Sequence, residues 1–456
     1  MKRASLFLAI AFAAIAHPAH AGTDLYEAWQ AAQEHDPVYA AARAQWQAGQ
    51  TKSRQGQALL RPQVAVTGST AYLTTDRNTT GAQFSAPGFG ASNDATFRTR
   101  INGGTSTSWA VTAQQPLYDE ERRASSRQLG RQAELADAQF RATQQELILR
   151  SAQAYFGVVL AEETLATLRA QKDAALRALD VAREKFEAGA TPVTDRDEAQ
   201  ARYDEIRTQE ILAQNDVTLK RTAFFDLTGK PADALSRING DARYSAHPLD
   251  VWNDRASKRN PLIVMQELGQ DIARDEVAKF RALISPALDL FARVTDDRMQ
   301  GSSGYGPTAH ITSNTRIVGL QLTIPLYTGG MRSAKRDEAM ALADKAQLDA
   351  QSLRQEVLRQ TQAAWLAVNT GVERVAAHEQ ALKSARSRLN ATETGREVGA
   401  RTTLDFLNAQ GDYYQAQRNL LHTRYQLLLD RLRLAATAGE LGEDEVRDVN
   451  AALAAR

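Results

Sequence analysis

Few residues of this sequence could do chemistry. Its 456 residues contain no cysteine, and no two of its seven histidines stand four positions apart. The lack of cysteine excludes disulfides, thiolate metal sites and a cysteine nucleophile, and no zinc-protease, serine-hydrolase or phosphate-loop motif occurs. The polar residues that stand out are Asp195, Arg401 and Asp405, which follow the two glycines Gly189 and Gly399. Carboxylates and a guanidinium at such turns can form ion pairs and bind cations. The sequence therefore predicts no enzyme, no cofactor and no metal site.

Composition narrows the class of protein further. The chain has 55 Lys and Arg against 54 Asp and Glu, so no basic excess suggests nucleic acid as a partner. Residues 1–21 have the form of a cleaved secretory leader, with Lys2 and Arg3 before an apolar run. No later segment approaches the ~20 consecutive apolar residues of a membrane-spanning helix, so a membrane-spanning form must use strands.

The chain is predicted to contain two copies of one structural unit. The segment QPLY at 115–118 recurs as IPLY at 324–327, an offset of 209, and Gly189 recurs as Gly399, an offset of 210. Ordered matches at a nearly constant offset indicate an internal duplication. The predicted boundaries are 22–229 for the first repeat, 230–260 for an equatorial linker, 261–439 for the second repeat and 440–456 for a C-terminal tail.

Each copy changes its hydrophobic period in the same order. A helix comes first, then a β-hairpin of period two, a long helix without proline, and a return helix about half as long. The predicted spans are 62–116 and 286–325 for the hairpins, 120–188 and 331–398 for the long helices, and 195–228 and 403–438 for the return helices. The polar stretches at about 74–105 and 296–314 are predicted as exposed loops within the hairpins.

The long helices repeat small and apolar residues at heptad spacing, which predicts antiparallel coiled coils. About 68 residues of helix would measure about 100 Å, more than the width of an ordinary globular domain. A soluble antiparallel coiled coil is the plainer interpretation of the helices alone.

Four strands are too few to close a barrel. Amphipathic strands usually form half of a soluble sandwich, but this chain offers no further strand-rich region to cover the sheet edges. Three copies would pool twelve strands and leave a lumen, whereas two copies would give a barrel filled by side chains. The sequence therefore predicts an α+β membrane protein in which three chains form a twelve-stranded β-barrel, continued by a coiled-coil α-helical tunnel.

The duplication, the two PLY segments and the second helix turn resemble the TolC family of outer-membrane efflux and type I secretion channels. Residues 398–410 read VGARTTLDFLNAQ and match the family motif V-G-x-R-T-x-x-D-x-L. The resemblance covers essentially the whole chain after the leader. It implies a homotrimer in the outer membrane of a Gram-negative bacterium, in contact with outer-membrane lipid, with a large periplasmic extension and an equatorial belt formed by the linker and both termini. The implied partners are a periplasmic adaptor and an inner-membrane ABC or proton-driven transporter.

The helix turns are the predicted gate, because a trimer repeats their charges three times around its axis. Asp405 is expected to project towards that axis, where three carboxylates would raise one another's pKa and bind cations. The alternative is a helix N-terminal residue favoured by the macrodipole, which applies equally to Asp195. The resemblance implies that Arg401 ties neighbouring coiled coils to Thr194 and Asp195; a solvated ion pair at a helix end is the alternative.

Two residues depart from the family pattern. Asn408 stands where a second acidic residue is common, so the ring is expected to carry three charges rather than six. Arg396 stands where the family has a tyrosine that helps to hold the gate. One hypothesis is that its guanidinium reaches Asp195.

Pro116 and Pro325 are predicted where sheet becomes helix, because proline has a fixed φ and no N–H. Tyr118 and Tyr327 are expected to pack at these junctions or to lie at the bilayer boundary.

The main alternative function is a soluble periplasmic adaptor or scaffold, with the strands forming a small folded cap. Among channels, protein secretion is favoured over drug efflux, because the chain lacks the acylated cysteine of the drug-efflux branch.

Overall fold

The computed structural model describes residues 23–238, 247–281, 285–302 and 308–454. The predicted leader at 1–21 lies outside the described residues. Within those residues, no helix combines the length and the apolar character needed to cross a membrane. The chain divides into a sheet unit, Ala48–Ala136 and Glu267–Asp349, and a helical unit, Met1–Gln47, Asp137–Gln266 and Ala350–Arg456.

In each repeat, helical segments precede a pair of long strands, and a long helix and a shorter helix follow. The helices are α1 (Leu25–His35), α2 (Pro37–Ala58), α3 (Glu120–Glu187), α4 (Val193–Thr228), α5 (Leu249–Arg259), α6 (Pro261–Phe280), α7 (Met331–Glu397), α8 (Thr403–Thr437) and α9 (Glu443–Asn450). The strands are β1 (Gln63–Ala86), β2 (Gly90–Asp119), β3 (Arg237–Ile238), β4 (Ala287–Ser302), β5 (Ala309–Thr323) and β6 (Leu453–Ala454).

The sheet unit is built on an antiparallel sheet with the strand order β1-β2-β4-β5. Val66 pairs with Val111, and Val111 pairs with Val294, so these three side chains share one face. We call this face the apolar face. Its large exposed side chains include Val64, Val66, Trp109, Val111, Leu290, Val294, Val318, Leu320 and Leu322. The alternate positions, such as Thr67 and Thr112, form the polar face, as period two requires.

The prediction of long polar loops is wrong over most of their length. Strand β1 continues to Ala86 and β2 begins at Gly90, so the turn occupies only 87–89. Beyond Leu73 the apolar alternation stops, but backbone pairing continues through pairs such as Asp76 with Arg100. Ladder hydrogen bonds need no apolar side chain, and the threonines in this stretch favour an extended backbone.

The second predicted loop, 296–314, is shortened in the same way. Strand β4 continues to Ser302 and β5 begins at Ala309. Residues 303–307 lie outside the described residues.

Sheet changes to helix without a linker at the first junction. Strand β2 runs through Pro116 to Asp119 and α3 begins at Glu120, so the predicted strand end at 116 is three residues early. A register shift between Pro116 and Tyr118 places the proline at a bulge, where a residue without an N–H is tolerated. At the second junction, Pro325 lies between the end of β5 and the start of α7.

The two long helices contain 68 and 67 residues and no proline. Helix α4 begins at Val193, two residues before the predicted start, because Pro192 takes the N-cap position with φ −65° and ψ 157°. Gly229 closes this helix in the left-handed conformation with φ 66°, which glycine adopts without steric penalty.

The largest hydrophobic core lies in the helical unit. It includes Tyr155 and Phe156 of α3, Phe224 of α4 and Tyr425 of α8, each at most 2% exposed. The Tyr155 hydroxyl donates to the carbonyl oxygen of Ser236 at 2.8 Å. This core joins both repeats, because α3 and α4 come from the first and α8 from the second.

Both ends of the described chain meet in the helical unit. The short strands β3 and β6 pair with each other, and the Leu25 N–H donates to Asn450 Oδ1 at 3.0 Å. In α5, Trp252 is buried with Val368 and Leu427. The predicted linker at 230–260 therefore contains a packed helix, while its residues 239–246 lie outside the described ones.

Replacing Phe224 by alanine should lower the free energy of unfolding by about 3–5 kcal/mol, because the ring has no exposed surface and its removal leaves a cavity. Denaturant unfolding of the purified protein in detergent, followed by tryptophan fluorescence, measures the loss. Phe225→Ala is the matched control, since that neighbouring ring is 50% exposed and should cost about 1 kcal/mol or less. Equal losses would contradict the assignment of Phe224 to the core.

Candidate functional site at the helix turns

Both long helices of the helical unit end in the same backbone turn. Gly189 and Gly399 have φ of 72° and 75°, a left-handed conformation that glycine adopts without steric penalty. After each glycine, an alanine N–H returns to the helix: Ala190 donates to the Lys185 carbonyl and Ala400 to the Gly395 carbonyl, both at 2.8 Å. These bonds satisfy carbonyl groups that would otherwise lack a partner at the helix end, so each turn is hydrogen-bonded back to its long helix.

Asp405 caps the start of α8. Its carboxylate accepts a hydrogen bond from the Thr402 backbone N–H at 3.2 Å, and its own N–H donates to Thr402 Oγ1 at 3.0 Å. This reciprocal pair is a capping box. Hydrogen bonding from Thr402, with smaller effects of Arg401 and Arg388, lowers the pKa of the Asp405 carboxyl. Within one chain, Asp405 thus has the helix-capping role that was the alternative to a pore constriction.

Asp195 links the two repeats through a threonine. The Thr403 hydroxyl donates to Asp195 Oδ2 at 2.9 Å across 208 residues of sequence. Arg401, the expected partner, packs its side chain against Gly395 instead, where an added Cβ would lie 2.7 Å from Arg401 Cγ. Thr403 reaches Asp195 because both side chains stand in the first turns of the return helices α8 and α4. Thr194 is exposed.

The hypothesis that Arg396 reaches Asp195 is wrong for the single chain. Its guanidinium lies over the ring of Phe406, with 4.2 Å between Arg396 Cζ and the ring centroid. The first turn has an equivalent contact, with Arg196 Cζ 4.8 Å from the Phe186 centroid. The quadrupole of an aromatic ring attracts a cation that lies over its face. The Phe406 ring therefore holds the Arg396 guanidinium away from Asp195.

The two contacts exchange their residue types between the repeats. Phe186 corresponds to Arg396 and Arg196 to Phe406, both at the offset of 210. The first turn therefore has its ring on the long helix, and the second turn has its ring on the return helix. Sequence reasoning missed this exchange, although an alignment of the two copies contains the signal.

Phe406 joins the two helical hairpins. It is only 6% exposed and packs with residues of both repeats. The cluster consists of Ala178, Leu179, Ala182, Ala199, Phe406 and Leu407, with Tyr203 and Leu389 at its edge. The alanines leave room for the ring between α3 and α4, so moving α8 away from α3 and α4 exposes this aromatic surface.

Of the remaining predicted residues, Asn408, Tyr118 and Tyr327 are exposed, whereas Pro116 is buried. Asn408 is exposed just after Asp405 in α8, and Arg388 of α7 pairs with Asp412 of α8 at 2.7 Å. In the sheet unit, Arg123 lies over the Tyr118 ring at 5.1 Å, whereas Tyr327 is 89% exposed. Across residues 23–238, 247–281, 285–302 and 308–454, no cluster of three or more histidine or acidic side chains could hold a metal ion.

Comparisons with known proteins agree with this architecture. A family model described as outer membrane efflux protein matches residues 28–230 and 252–440. The outer membrane protein TolC of Vibrio cholerae is 32% identical over 351 residues, which are 75% of this chain and 79% of that protein. The alkaline protease secretion protein AprF of Pseudomonas aeruginosa is 28% identical over 458 residues, covering 99% and 92% of the two chains.

Among solved structures, the outer membrane protein VceC from Vibrio cholerae superimposes with a TM-score of 0.73. The match covers 91% of this chain and 96% of that chain at 17% identity, so it concerns the fold alone. The comparisons confirm the predicted fold class and the predicted family resemblance.

Acid should loosen the first turn of α8. Because the folded pKa of Asp405 lies below its ordinary value of 3.8, the cap stabilises the fold above pH 3.8, and this contribution disappears as the pH falls through the folded pKa. Amide hydrogen exchange over residues 402–408, corrected for intrinsic rates, should rise at low pH relative to the rest of α8. Asp405→Asn should reduce this pH dependence. An unchanged pH response in that variant would assign the effect to another group.

Proposed function

The chain belongs to the outer membrane efflux protein family, and from this membership we propose that three copies form the passive outer-membrane duct of a protein-secretion apparatus in a Gram-negative bacterium. The observation that carries the proposal is a four-stranded sheet with an exposed apolar face that leads into helices of 68 and 67 residues, the first without a linker and the second after residues 324–330. The family resemblance implies these two features, barrel strands and a helical tunnel, in an outer-membrane export channel.

The two open edges of the sheet are an argument for the proposed trimer. Strands β1 and β5 are its two edges, and each needs a partner for one row of backbone groups before it can enter lipid. Three copies supply twelve strands, which enclose a lumen, whereas two supply eight, whose interior is filled by side chains. Joining β5 of one copy to β1 of the next satisfies both edges and places the apolar face towards lipid.

The helices also support assembly. Helix α7 exposes Met340, Leu348 and Leu366, and α4 exposes Leu212 and Leu219, each by about half or more. Apolar area covered by a neighbouring copy stabilises an assembly by about 25 cal/mol per Å². A soluble adaptor, the alternative function, would leave these surfaces and the apolar face in water.

An adaptor and an energised inner-membrane transporter complete the proposed apparatus. The sequence contains no phosphate-binding loop, so the energy for export comes from a partner. We favour protein as the cargo because the protease-secretion relative aligns over 99% of this chain.

The helix turns form the gate of the proposed duct. The Thr403–Asp195 bond and the packing of Phe406 against Leu179 and Ala199 hold α8 against the first repeat. The Arg396–Phe406 contact joins α8 to α7 of its own hairpin. A hydrogen bond or a cation–π contact of this kind contributes about 1 kcal/mol, and the proposed trimer has three sets. The closed state is thus favoured by an amount that an adaptor can overcome by binding the open state more tightly.

Reconstitution in planar bilayers tests the proposed function. We expect discrete channel openings from an outer-membrane trimer that resists SDS until heated. A monomer that stays soluble without detergent and gives no conductance would contradict the proposal.

Removing the Asp195 carboxylate should raise single-channel conductance in planar bilayers. The substitution Asp195→Ala removes the acceptor of the Thr403 hydroxyl and also the acceptor expected for Arg401. The substitution Thr403→Val removes only the Thr403–Asp195 bond within the chain. Asp180→Ala is the control, since Asp180 is exposed on α3 and should leave conductance unchanged. Unchanged conductance in both Asp195→Ala and Arg401→Ala would place the gate elsewhere.

Trivalent cations should block this channel more weakly than they block an Asn408→Asp variant. The variant would add three carboxylates to the ring of Asp405 and so strengthen cation binding. Titration with hexamminecobalt during bilayer recording measures the blocking concentration for both proteins. Equal potency would contradict a constriction at this level.

A further inference from the structure

Two aromatic residues mark the end of the apolar face that is farther from the helices. Trp109 lies across Gly68, where an added Cβ would be 2.7 Å from the indole ring. The Tyr72 hydroxyl lies against Gly103. From Tyr118 to Trp109 strand β2 advances nine residues, which matches the roughly 9–11 residues of a tilted strand across a bilayer. Tyr118 and Trp109 therefore stand at the two levels where lipid tails meet headgroups.

The strands continue beyond this level with a change of register. A bulge adds an extra residue to β2 between Gly104 and Ile101. The Ile101 side chain packs where Cβ atoms of Gly104 and Gly301 would stand, and these two glycines occupy polar-face positions. Arg100 and Arg98, at the alternate positions, therefore stand on the apolar-face side together with Asp76.

One carboxylate holds both guanidiniums together. Arg98 Nε and Nη2 donate to the two Asp76 oxygens at 3.2 and 2.7 Å. Arg100 Nε and Nη2 both donate to Asp76 Oδ2, at 3.1 and 2.8 Å. Two cations face one anion, and the arginine side chains are 58% and 43% exposed. The group has a net positive charge, and both guanidinium side chains remain partly exposed.

Charge is distributed unequally between the two faces. Apart from Asp94 and Asp119 near the ends of β2, the apolar-face side of the four strands carries four arginines and two aspartates, and the polar face carries two of each. The first set is Arg98, Arg100, Arg298, Arg316, Asp76 and Asp296; the second is Arg77, Arg293, Asp289 and Asp297. The excess of +2 per chain lies on the lipid side.

We propose that Arg98 and Arg100 bind phosphate groups on the headgroup of the phosphorylated glycolipid in the outer leaflet. The inference rests on the proposed membrane location. A guanidinium binds phosphate oxygens through paired N–H donors, and negatively charged headgroups attract cations at the bilayer surface.

The order of strands and helices along the chain indicates which leaflet Arg98 and Arg100 face. Helices α3 and α7 follow the opposite ends of β2 and β5 and extend into the periplasm in the proposed orientation. Asp76 is eight residues past Gly68, the strand partner of Trp109, which is about 26 Å along the strand. A strand tilt of about 40° places the guanidiniums about 20 Å above the Trp109 level, on the headgroup side of the aromatic residues.

Lipid binding to the purified trimer in detergent tests the proposal by native mass spectrometry. The probes are rough lipopolysaccharide with a phosphorylated inner core, the same lipid with its phosphates removed, and phosphatidylglycerol. We expect retention of the phosphorylated glycolipid by the wild type and at least about tenfold weaker binding by the double variant R98Q/R100Q. The matched control, R77Q/R293Q, removes the same charge from the polar face and should bind like the wild type.

Equal binding by both double variants, or equal binding of the phosphate-free lipid, would overturn the proposal. Equal retention of phosphatidylglycerol would overturn the choice of glycolipid. If R98Q/R100Q does not assemble, the single variant R98Q serves in its place, because Arg98 is the more exposed of the two arginines. A wild type that conducts but retains no glycolipid contradicts this inference alone, whereas a wild type without conductance contradicts the proposed function.

Discussion

Strands β1 and β5 each leave one row of backbone N–H and C=O groups without a partner in the four-stranded sheet. Water can satisfy such groups, but lipid cannot, and each unsatisfied group in hydrocarbon costs several kcal/mol. The apolar face is stable only against lipid or another apolar surface. The open edges cannot enter lipid unless further strands pair with them. Both requirements are met when copies join edge to edge, so the backbone makes assembly a condition for membrane insertion.

Assembly of the sheets also brings the long helices of different copies together, because α3 and α7 follow β2 and β5 closely in the chain. In the proposed trimer, three copies of the sheet bring three copies of the long helices with them. The charges at each turn then occur three times, and contacts that are weak singly can control one opening together. The proposed gate thus depends on strands that belong to the other unit of the chain.

The duplicated turns are alike in backbone but different in packing. Each contains a left-handed glycine and an arginine over a phenylalanine. Because the residue types are exchanged between the repeats, Phe406 is buried against the first hairpin, while Phe186 stays partly exposed. The two hairpins therefore share a backbone turn, but only the second inserts its aromatic ring, Phe406, between the helices of the other.

The sequence by itself determined the features that depend on near neighbours. The two long helices, the glycine turns and the order of elements follow from periodicity, from left-handed glycine and from the placement of proline, all of which act over a few residues. It did not determine the extent of β1 and β2, because ladder bonds join residues such as Asp76 and Arg100 that no apolar pattern marks. Only the tertiary structure decided that Asp195 pairs with Thr403 and that Arg396 covers Phe406. A side chain at a helix end can reach several partners, and the packing of distant segments selects among them.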